Sequence, residues 1–436
     1  MRAEDIPRRV AREHGAAAIA PSLSAFPSSA LESPMSSTSQ PDASDSSSGL
    51  DAAVRERYSE GAQQTTPELC CPVDYDPSLL KVIPSEVIER DYGCGNPSRH
   101  LHPGDTVLDL GSGTGKICFI ASQVVGAEGR VIGVDMNDDM LEVAERAHPA
   151  VAGRIGYDNV EFRKGRIEDL ATNRAHVDRW LAANPVRSDR DLAALEDEMR
   201  RQRDAAPLVA SDSVDAVVSN CVLNLVLPER KRALFDEIFR VLRKGGRAII
   251  SDIVSDEDVP DELVRDPELW SGCVSGALRE DAFLKAFEDA GFHGIEILER
   301  ADEAWQTVNG IEFRSLTVRA YKGKQGACLE QGQAVIYKGP WKRVEDDDGH
   351  VLERGERMAV CGKTYGLLTS GGYAGQVIGV EPLVPIPEAS AGPFACTGNR
   401  KRSPRETKGA TYTATIAVST DCCEPGEDCD PEVSCC

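Results

Sequence analysis

One short stretch, residues 106–116, constrains the fold of this chain more than any other. It opens with an apolar run suited to a buried parallel strand, and three glycines follow at alternate positions. Glycines here allow a tight turn and let a ligand approach main-chain N–H groups at the start of the next helix, predicted over 117–125. A second predicted strand, 130–134, delivers Asp135 at its end, where a carboxylate can bind a ribose diol.

A glycine turn alone also fits an NAD site or a plain turn. Here the motif is Asp-Leu-Gly-Ser-Gly-Thr-Gly, which resembles the class I S-adenosylmethionine-dependent methyltransferases more than the dinucleotide fingerprint Gly-x-Gly-x-x-Gly. The resemblance implies an α/β fold with a doubly wound, mostly parallel, Rossmann-like sheet. Position at strand ends and this resemblance together predict the cofactor-binding residues Tyr92, Asp109, Gly111, Gly113, Gly115, Asp135, Met136, Ile167, Glu168 and Asn220. For Tyr92 a core role, and for Asp109 a role in bracing the glycine loop, stay open.

The remaining chain divides by composition and periodicity. Strands and helices alternate from about residue 105 to 320, which predicts one α/β domain, and short β runs with frequent Gly and Pro follow. We predict a disordered extension over 1–50, a methyltransferase domain over 51–325 with an N-terminal cap and a solvated helical insertion at about 174–206, a β-rich domain over 326–395 and a cysteine-rich tail over 396–436.

Charge and hydropathy limit the partners. The formal net charge of -23 argues against nucleic acid as the methyl acceptor, because a phosphate backbone requires a basic surface. We expect no membrane span, a monomer and a cytoplasmic location. The arginines within residues 1–34 also fit an organellar transit peptide, although nearby acids weaken that interpretation, and Met35 could equally be a start site.

The 14 cysteines indicate thiol chemistry, because intracellular thiols stay reduced and serve to bind soft ions or to carry out redox reactions. Cys94 is bracketed by glycines, Cys221 follows a strand end, and Cys273 lies beside a glycine. Three thiols near a methyl-donor crevice predict a thiophilic acceptor, and pyramidal trivalent arsenic suits three sulfurs. Zinc is the rival ligand, but it favours four ligands and Cys-x-x-Cys pairs, which this sequence lacks. Cys118 is interpreted as a small buried hydrophobic residue.

The cysteine contexts are more specific than the glycine motif. Tyr-Gly-Cys94-Gly, Ser-Asn-Cys221-Val-Leu-Asn-Leu and Leu-Trp-Ser-Gly-Cys273-Val-Ser-Gly resemble the arsenite S-adenosylmethionine methyltransferases over about residues 65–436. The resemblance implies that these three cysteines bind arsenic(III) and take part in turnover, and that an upstream cysteine, Cys70 or Cys71, completes a redox set. It also implies arsenite and its thiol conjugates as substrates and thioredoxin or glutathione as the thiol reductant.

Two other functions stay open at this stage: a methyltransferase for another thiophile such as selenium, tellurium or an organic thiol, and a non-catalytic arsenic-binding protein. The five cysteines of the last sixteen residues either capture arsenite or are dispensable. One departure from the family pattern is Lys116-Ile117 after the glycine loop, where a polar pair is common. It puts one cofactor contact in question.

Overall fold

The computed structural model describes residues 43–64, 73–409 and 411–415. The predictions made for residues 1–42, for Cys70 and Cys71, and for the five cysteines near the C-terminus lie outside these ranges.

Helices and strands alternate through the first three hundred described residues, and short strands dominate afterwards. The helices are α1 (Ala43–Gln63), α2 (Pro77–Leu80), α3 (Ser85–Glu89), α4 (Lys116–Val125), α5 (Asp138–Ile155), α6 (Arg174–Ala183), α7 (Asp189–Ala205), α8 (Pro228–Val241), α9 (Asp261–Val264), α10 (Pro267–Ser271), α11 (Glu280–Asp289) and α12 (Gly362–Leu368). The strands are β1 (Thr106–Leu110), β2 (Arg130–Asp135), β3 (Val160–Lys164), β4 (Val214–Asn220), β5 (Leu242–Ser255), β6 (Leu278–Arg279), β7 (His293–Arg300), β8 (Gln306–Val308), β9 (Ile311–Tyr321), β10 (Ala334–Tyr337), β11 (Arg343–Glu345), β12 (Val351–Glu353), β13 (Arg357–Ala359) and β14 (Val377–Val380).

The main sheet has the order β3-β2-β1-β4-β5-β9-β7, with β6 beside β5 and β8 beside β9. Strands β1 to β5 run parallel, and β9 pairs antiparallel with both β5 and β7. Strands β1 and β4 lie inside the sheet, and β4 is buried at every position, which agrees with their mostly apolar sequences. The predicted α/β fold with a mostly parallel sheet is confirmed. The strand order reverses between β1 and β4, and this is where such folds bind ligands.

The prediction of disorder through residue 50 is wrong for residues 43–50, because helix α1 begins at Ala43. Leu50 and Val54 on this helix are buried against Leu227 and Trp270. The helix is therefore stabilised by tertiary packing rather than by the propensity of its Ser-rich first turns.

The chain after β9 forms a smaller β-rich region with the antiparallel order β13-β10-β14 and a separate β11–β12 hairpin. This region extends beyond the predicted boundary at residue 395, so that boundary is too early. Met358 forms a β-bridge with Lys401, and the buried Arg402 side chain bonds to the Gln333 carbonyl and pairs with Glu330 at 2.7 Å.

The segment predicted as a helical insertion contains α6 and α7, whose side chains are mostly exposed. None of the helices in the described ranges combines the length and the apolar character that a membrane span requires.

Candidate active site

A cavity of about 1050 Å³, solvent at its mouth included, lies beyond the carboxyl ends of β1, β2 and β4. Every predicted cofactor-binding residue except Gly115 lines this cavity. These lining residues are Tyr92, Asp109, Gly111, Gly113, Asp135, Met136, Ile167, Glu168 and Asn220. Of the predicted arsenic ligands, Cys221 lines this cavity.

The glycine loop between β1 and α4 has three residues with positive φ: +70° at Gly111, +50° at Gly113 and +89° at Gly115. A Cβ at Gly111 would collide with Val222, and one at Gly115 would lie 2.8 Å from Phe162. A Cβ at Gly113 would meet no atom within 4 Å. Gly111 and Gly115 thus serve packing, whereas Gly113 leaves room on the cavity side for a ligand to approach the backbone.

Asp135 ends β2 with its carboxylate at the cavity. Its Oδ2 accepts the Gly113 N–H and its Oδ1 accepts the Asn137 N–H, both at 2.8 Å. Burial raises the pKa of this carboxyl group, and the backbone hydrogen bonds oppose the shift. A carboxylate has about four acceptor positions, so two oxygens fixed by the backbone still have capacity toward ribose hydroxyls.

Asp109 on β1 is 1% exposed, and burial raises the pKa of its carboxyl group to about 8. The Cys118 thiol donates to Asp109 Oδ2 at 3.1 Å. Cys118 is fully buried, as predicted, but it also satisfies this acceptor. Asp109 lines the cavity, and its bond to Cys118 joins β1 to helix α4, which follows the glycine loop.

The turn after β3 carries two more of the predicted cofactor-binding residues. Ile167 is buried with its side chain at the cavity, while Glu168 bonds to Arg166 at 3.1 Å and to Arg230 at 3.2 Å. Together with the lining residue Met140, Ile167 gives an apolar surface suited to a flat base.

Helix α1 forms a wall of the cavity, and although an N-terminal cap was predicted, none of the residues of this helix was predicted to line the site. Asp51, Val54, Arg55 and Tyr58 line it, and Asp51 pairs with Arg166 at 2.7 Å. The signal was present, because Leu50, Val54, Tyr58 and Ala62 recur at the i, i+4 spacing of a helix face.

Tyr92 and Asn220 have structural bonds as well as a place at the cavity. The Tyr92 hydroxyl lies 3.2 Å from the Gly61 carbonyl on α1. Asn220 Oδ1 accepts the N–H groups of Cys94 and Gly95, each at 3.0 Å, and its Nδ2 donates to the Gly95 carbonyl at 2.9 Å. Asn220 therefore fixes the loop that carries Cys94.

The glycines around Cys94 allow its loop to pack closely against the sheet. A Cβ at Gly93 would collide with Asn220, and a Cβ at Gly95 would collide with Ser251. The glycines thus let the Cys94 loop lie directly on the ends of β4 and β5, which brings its thiol to the other two cysteines.

The three predicted arsenic-binding cysteines share one buried cluster with Ile253 and Phe313. Cys221 has side-chain hydrogen bonds with both Cys94 and Cys273. The Cys273 thiol donates to the Cys221 carbonyl at 3.0 Å, and the Tyr58 hydroxyl lies 3.6 Å from its sulfur. The thiols thus lie directly behind the cavity wall that Cys221 and Tyr58 form.

Two of these cysteines have strained backbones. The value of φ is +63° at Cys221 and +61° at Cys273, whereas the other non-glycine residues with positive φ in the described ranges are asparagine or aspartate. Asn and Asp enter this region readily, but cysteine has no such preference. Strain of about 1–3 kcal/mol per residue persists at functional sites where the surroundings impose it.

Both strained thiols are protonated at neutral pH. The hydrogen bond with Cys221, followed by burial, raises the pKa of Cys273 well above its ordinary value. For Cys221, the hydrogen bond with Cys273 lowers the pKa, but the bond with Cys94 and burial outweigh it and the pKa is raised.

At Lys116 the sequence departs from the expected polar pair, and this side chain pairs with Asp91 instead of lining the cavity. Its Nζ lies 2.5 Å from Asp91 Oδ2 and 4.3 Å from the centre of the Tyr75 ring. Ile117 lines the cavity instead. The side chain that faces the cavity just after the glycine loop is therefore apolar.

The residues present fit S-adenosylmethionine. Gly113 leaves room at the backbone, Asp135 has acceptor capacity for ribose hydroxyls, and Ile167 provides an apolar wall. With the parallel sheet and its switch point between β1 and β4, these features define a class I S-adenosylmethionine-dependent methyltransferase.

Comparison with known proteins identifies the family. The "Methyltransferase domain" family model matches residues 101–205 and 201–291, and a domain of unknown function, DUF8838, matches 324–412. The arsenite methyltransferase of Aquipseudomonas alcaligenes is 35% identical over 321 residues, which cover 70% of this chain and 82% of that protein. The arsenite methyltransferase of Homo sapiens is 29% identical over 307 residues, covering 68% and 72%. The chain belongs to the arsenite methyltransferase family.

A solved structure is also similar: an arsenic(III) S-adenosylmethionine methyltransferase from Chlamydomonas reinhardtii, 28% identical, with a TM-score of 0.49. The match covers 74% of this chain and 100% of that one.

Proposed function

We propose that this protein transfers a methyl group from S-adenosylmethionine to trivalent arsenic held by the thiols of Cys94, Cys221 and Cys273. The observation that carries the proposal is the position of the cysteine cluster, directly behind the cavity wall that includes Cys221. A methyl donor in the cavity and arsenic on the thiols would then be neighbours.

The protonated thiols suit arsenite as the incoming species. Arsenous acid, As(OH)₃, exchanges three hydroxyl groups for three thiols, and each thiol proton leaves with a hydroxyl group as water. No thiolate has to form beforehand, so the raised pKa values of Cys221 and Cys273 do not prevent binding. The exchange also removes the hydrogen bond that the Cys273 thiol donates to the Cys221 carbonyl.

When bound, S-adenosylmethionine supplies a methyl group on a sulfonium, which the arsenic lone pair can accept with loss of a neutral thioether. The protein's own part is to hold the acceptor. Cys221 is fixed between β4 and the Cys273 loop, and Asn220 fixes the backbone of Cys94. Such positioning can supply effective molarities of about 10⁵ M or more. No general base is required, because the attacking group is a lone pair.

Turnover requires a reductant. Methylation raises arsenic formally from the trivalent to the pentavalent state, and return to the trivalent state takes two electrons. Two cysteine thiols can supply them by forming one disulfide and releasing two protons. We assign this step to the site cysteines with Cys70 or Cys71, and re-reduction of the disulfide to thioredoxin or glutathione. A cytoplasmic monomer is part of the same proposal.

Product analysis tests the proposal. Purified protein is incubated with arsenite, S-adenosylmethionine and a thiol reductant, and arsenic species are separated and counted. We expect methylated arsenicals from the parent chain and from Cys118→Ser, a matched buried cysteine that does not line the cavity, and none from Cys221→Ser. Binding of arsenite without any methylated product would contradict the proposal. Methylation retained by Cys221→Ser would show that the acceptor is not held by this thiol.

A further inference from the structure

A second group of three cysteines lies in the β-rich region, outside the methyl-transfer site. Cys328 precedes β10, Cys361 lies between β13 and α12, and Cys396 follows β14. Their sulfur atoms all lie within 4.8 Å of one another. Cys361 is buried, and the other two are partly exposed, so the group is reachable from solvent.

The three loops that carry these cysteines are tied together by main-chain hydrogen bonds next to the thiols. The Phe394 N–H donates to the Cys328 carbonyl at 2.8 Å, and the Gly362 N–H donates to the Leu329 carbonyl at 2.9 Å. Leu329 also forms a β-bridge with Pro393. The convergence of the three sulfurs is therefore built into the backbone.

The side chain of Cys361 is oriented as well. Its sulfur accepts the Thr364 N–H at 3.3 Å and lies 3.1 Å from the Thr364 hydroxyl. The Cys361 sulfur is thus held in a fixed position within the group by the first turn of α12.

The ligand count distinguishes the candidate occupants. In the described part of the chain, this group consists of three cysteines, with no histidine or carboxylate as a fourth member. Structural zinc is almost always bound by four protein ligands. Trivalent arsenic completes its pyramidal coordination with three sulfurs and keeps a lone pair, and soft thiolates suit it.

We propose that Cys328, Cys361 and Cys396 bind one trivalent arsenic through three As–S bonds, at a site separate from the methyl-transfer cysteines. Binding of As(OH)₃ forms three As–S bonds and releases three waters, each carrying one thiol proton. The choice of arsenic rests on the proposed function, since it supposes that the protein encounters arsenite. The three-sulfur geometry does not depend on methyl transfer.

The test counts bound arsenic in a full-length chain that cannot methylate. Ten cysteines are replaced by serine in this background: Cys70, Cys71, Cys94, Cys221, Cys273, Cys422, Cys423, Cys429, Cys435 and Cys436. After incubation with arsenite and desalting, arsenic and zinc are measured by mass spectrometry, and the arsenic absorption edge gives the number of sulfur ligands. We expect one arsenic per chain with three sulfurs, and loss of that arsenic on adding Cys361→Ser or Cys396→Ser.

A second comparison does not require the heavily substituted background to fold. In the otherwise native chain, simultaneous Cys328→Ser, Cys361→Ser and Cys396→Ser should lower the bound arsenic by one equivalent, with an unchanged circular dichroism spectrum. No loss of arsenic in this variant would overturn the inference. Stoichiometric zinc that copurifies and resists arsenite would also overturn it, in favour of a structural zinc site. Neither result depends on whether Cys221 supports methylation.

Discussion

Replacement of Asn220 by alanine should damage both the stability of the fold and the binding of arsenite. The side chain is 8% exposed, and its Oδ1 is the acceptor for the N–H groups of Cys94 and Gly95. Alanine leaves both donors buried without this partner, whereas the Gly95 carbonyl, which also accepts from Asn220 Nδ2, keeps the Tyr75 hydroxyl as a donor at 3.0 Å. A buried polar group without its partner costs about 1–3 kcal/mol, so we expect a loss of ~2–6 kcal/mol in unfolding free energy.

The assay pairs urea unfolding with separate titrations of arsenite and S-adenosylmethionine. Asn159→Ala is the matched control, because Asn159 also bonds loop carbonyls, those of Gly126 and Gly129, away from the cavity. Both variants should lose stability, but only Asn220→Ala should bind arsenite more weakly, because the Cys94 loop is loosened. The reasoning is refuted if the unfolding free energy of Asn220→Ala lies within about 0.5 kcal/mol of the parent's, which is the range of neutral surface substitutions. Weakened S-adenosylmethionine binding alone would make Asn220 a cofactor contact instead.

Three further predictions concern the same site. Between pH 3.8 and about 8 the folded protein keeps a proton on Asp109 that the unfolded chain releases, so stability falls by about 1.4 kcal/mol per pH unit from this group. Asp109→Asn should remove that slope in urea unfolding at successive pH values, and an unchanged slope would contradict the raised pKa. Gly113→Ala and Gly104→Ala both place a Cβ at positive φ in open space, so each should cost about 1 kcal/mol, but only Gly113→Ala should weaken S-adenosylmethionine binding in calorimetry. Because φ is +63° at Cys221, Cys221→Gly should be more stable than Cys221→Ala by about 1 kcal/mol in denaturant unfolding, and equal stabilities would show that the backbone is not strained.

The cofactor half of the site could be predicted because its geometry is local in sequence. The glycine loop and Asp135 follow consecutive strands, and the parallel pairing of β1 with β2 places both at one edge of the sheet. Helix α1 was only partly predictable. Its first turns are rich in Ser and Asp, which favour caps and turns, and the packing of Leu50 on Trp270 that stabilises the helix joins residues far apart in sequence.

The cysteine group of the β-rich region could not be found from spacing. Cys328, Cys361 and Cys396 are 33 and 35 residues apart, and no local pattern like Cys-x-x-Cys marks them. They meet because hydrogen bonds join the backbones of their loops. The absence of Cys-x-x-Cys therefore argues against one kind of metal site, but it says nothing about thiols that the fold brings together.

The methyl-transfer cysteines lie between these two cases. Residues 219–225 read Ser-Asn-Cys-Val-Leu-Asn-Leu, and both asparagines bind another thiol loop. Asn220 holds the Cys94 backbone, and Asn224 Nδ2 donates to the Cys273 carbonyl at 3.1 Å and to the Ile253 carbonyl at 2.7 Å. Cys221 thus lies between the two residues that bring its partner thiols to it, and its backbone has a φ of +63°. The sequence shows that the asparagines flank the cysteine, but their partners, 126 and 49 residues away, are decided by the sheet.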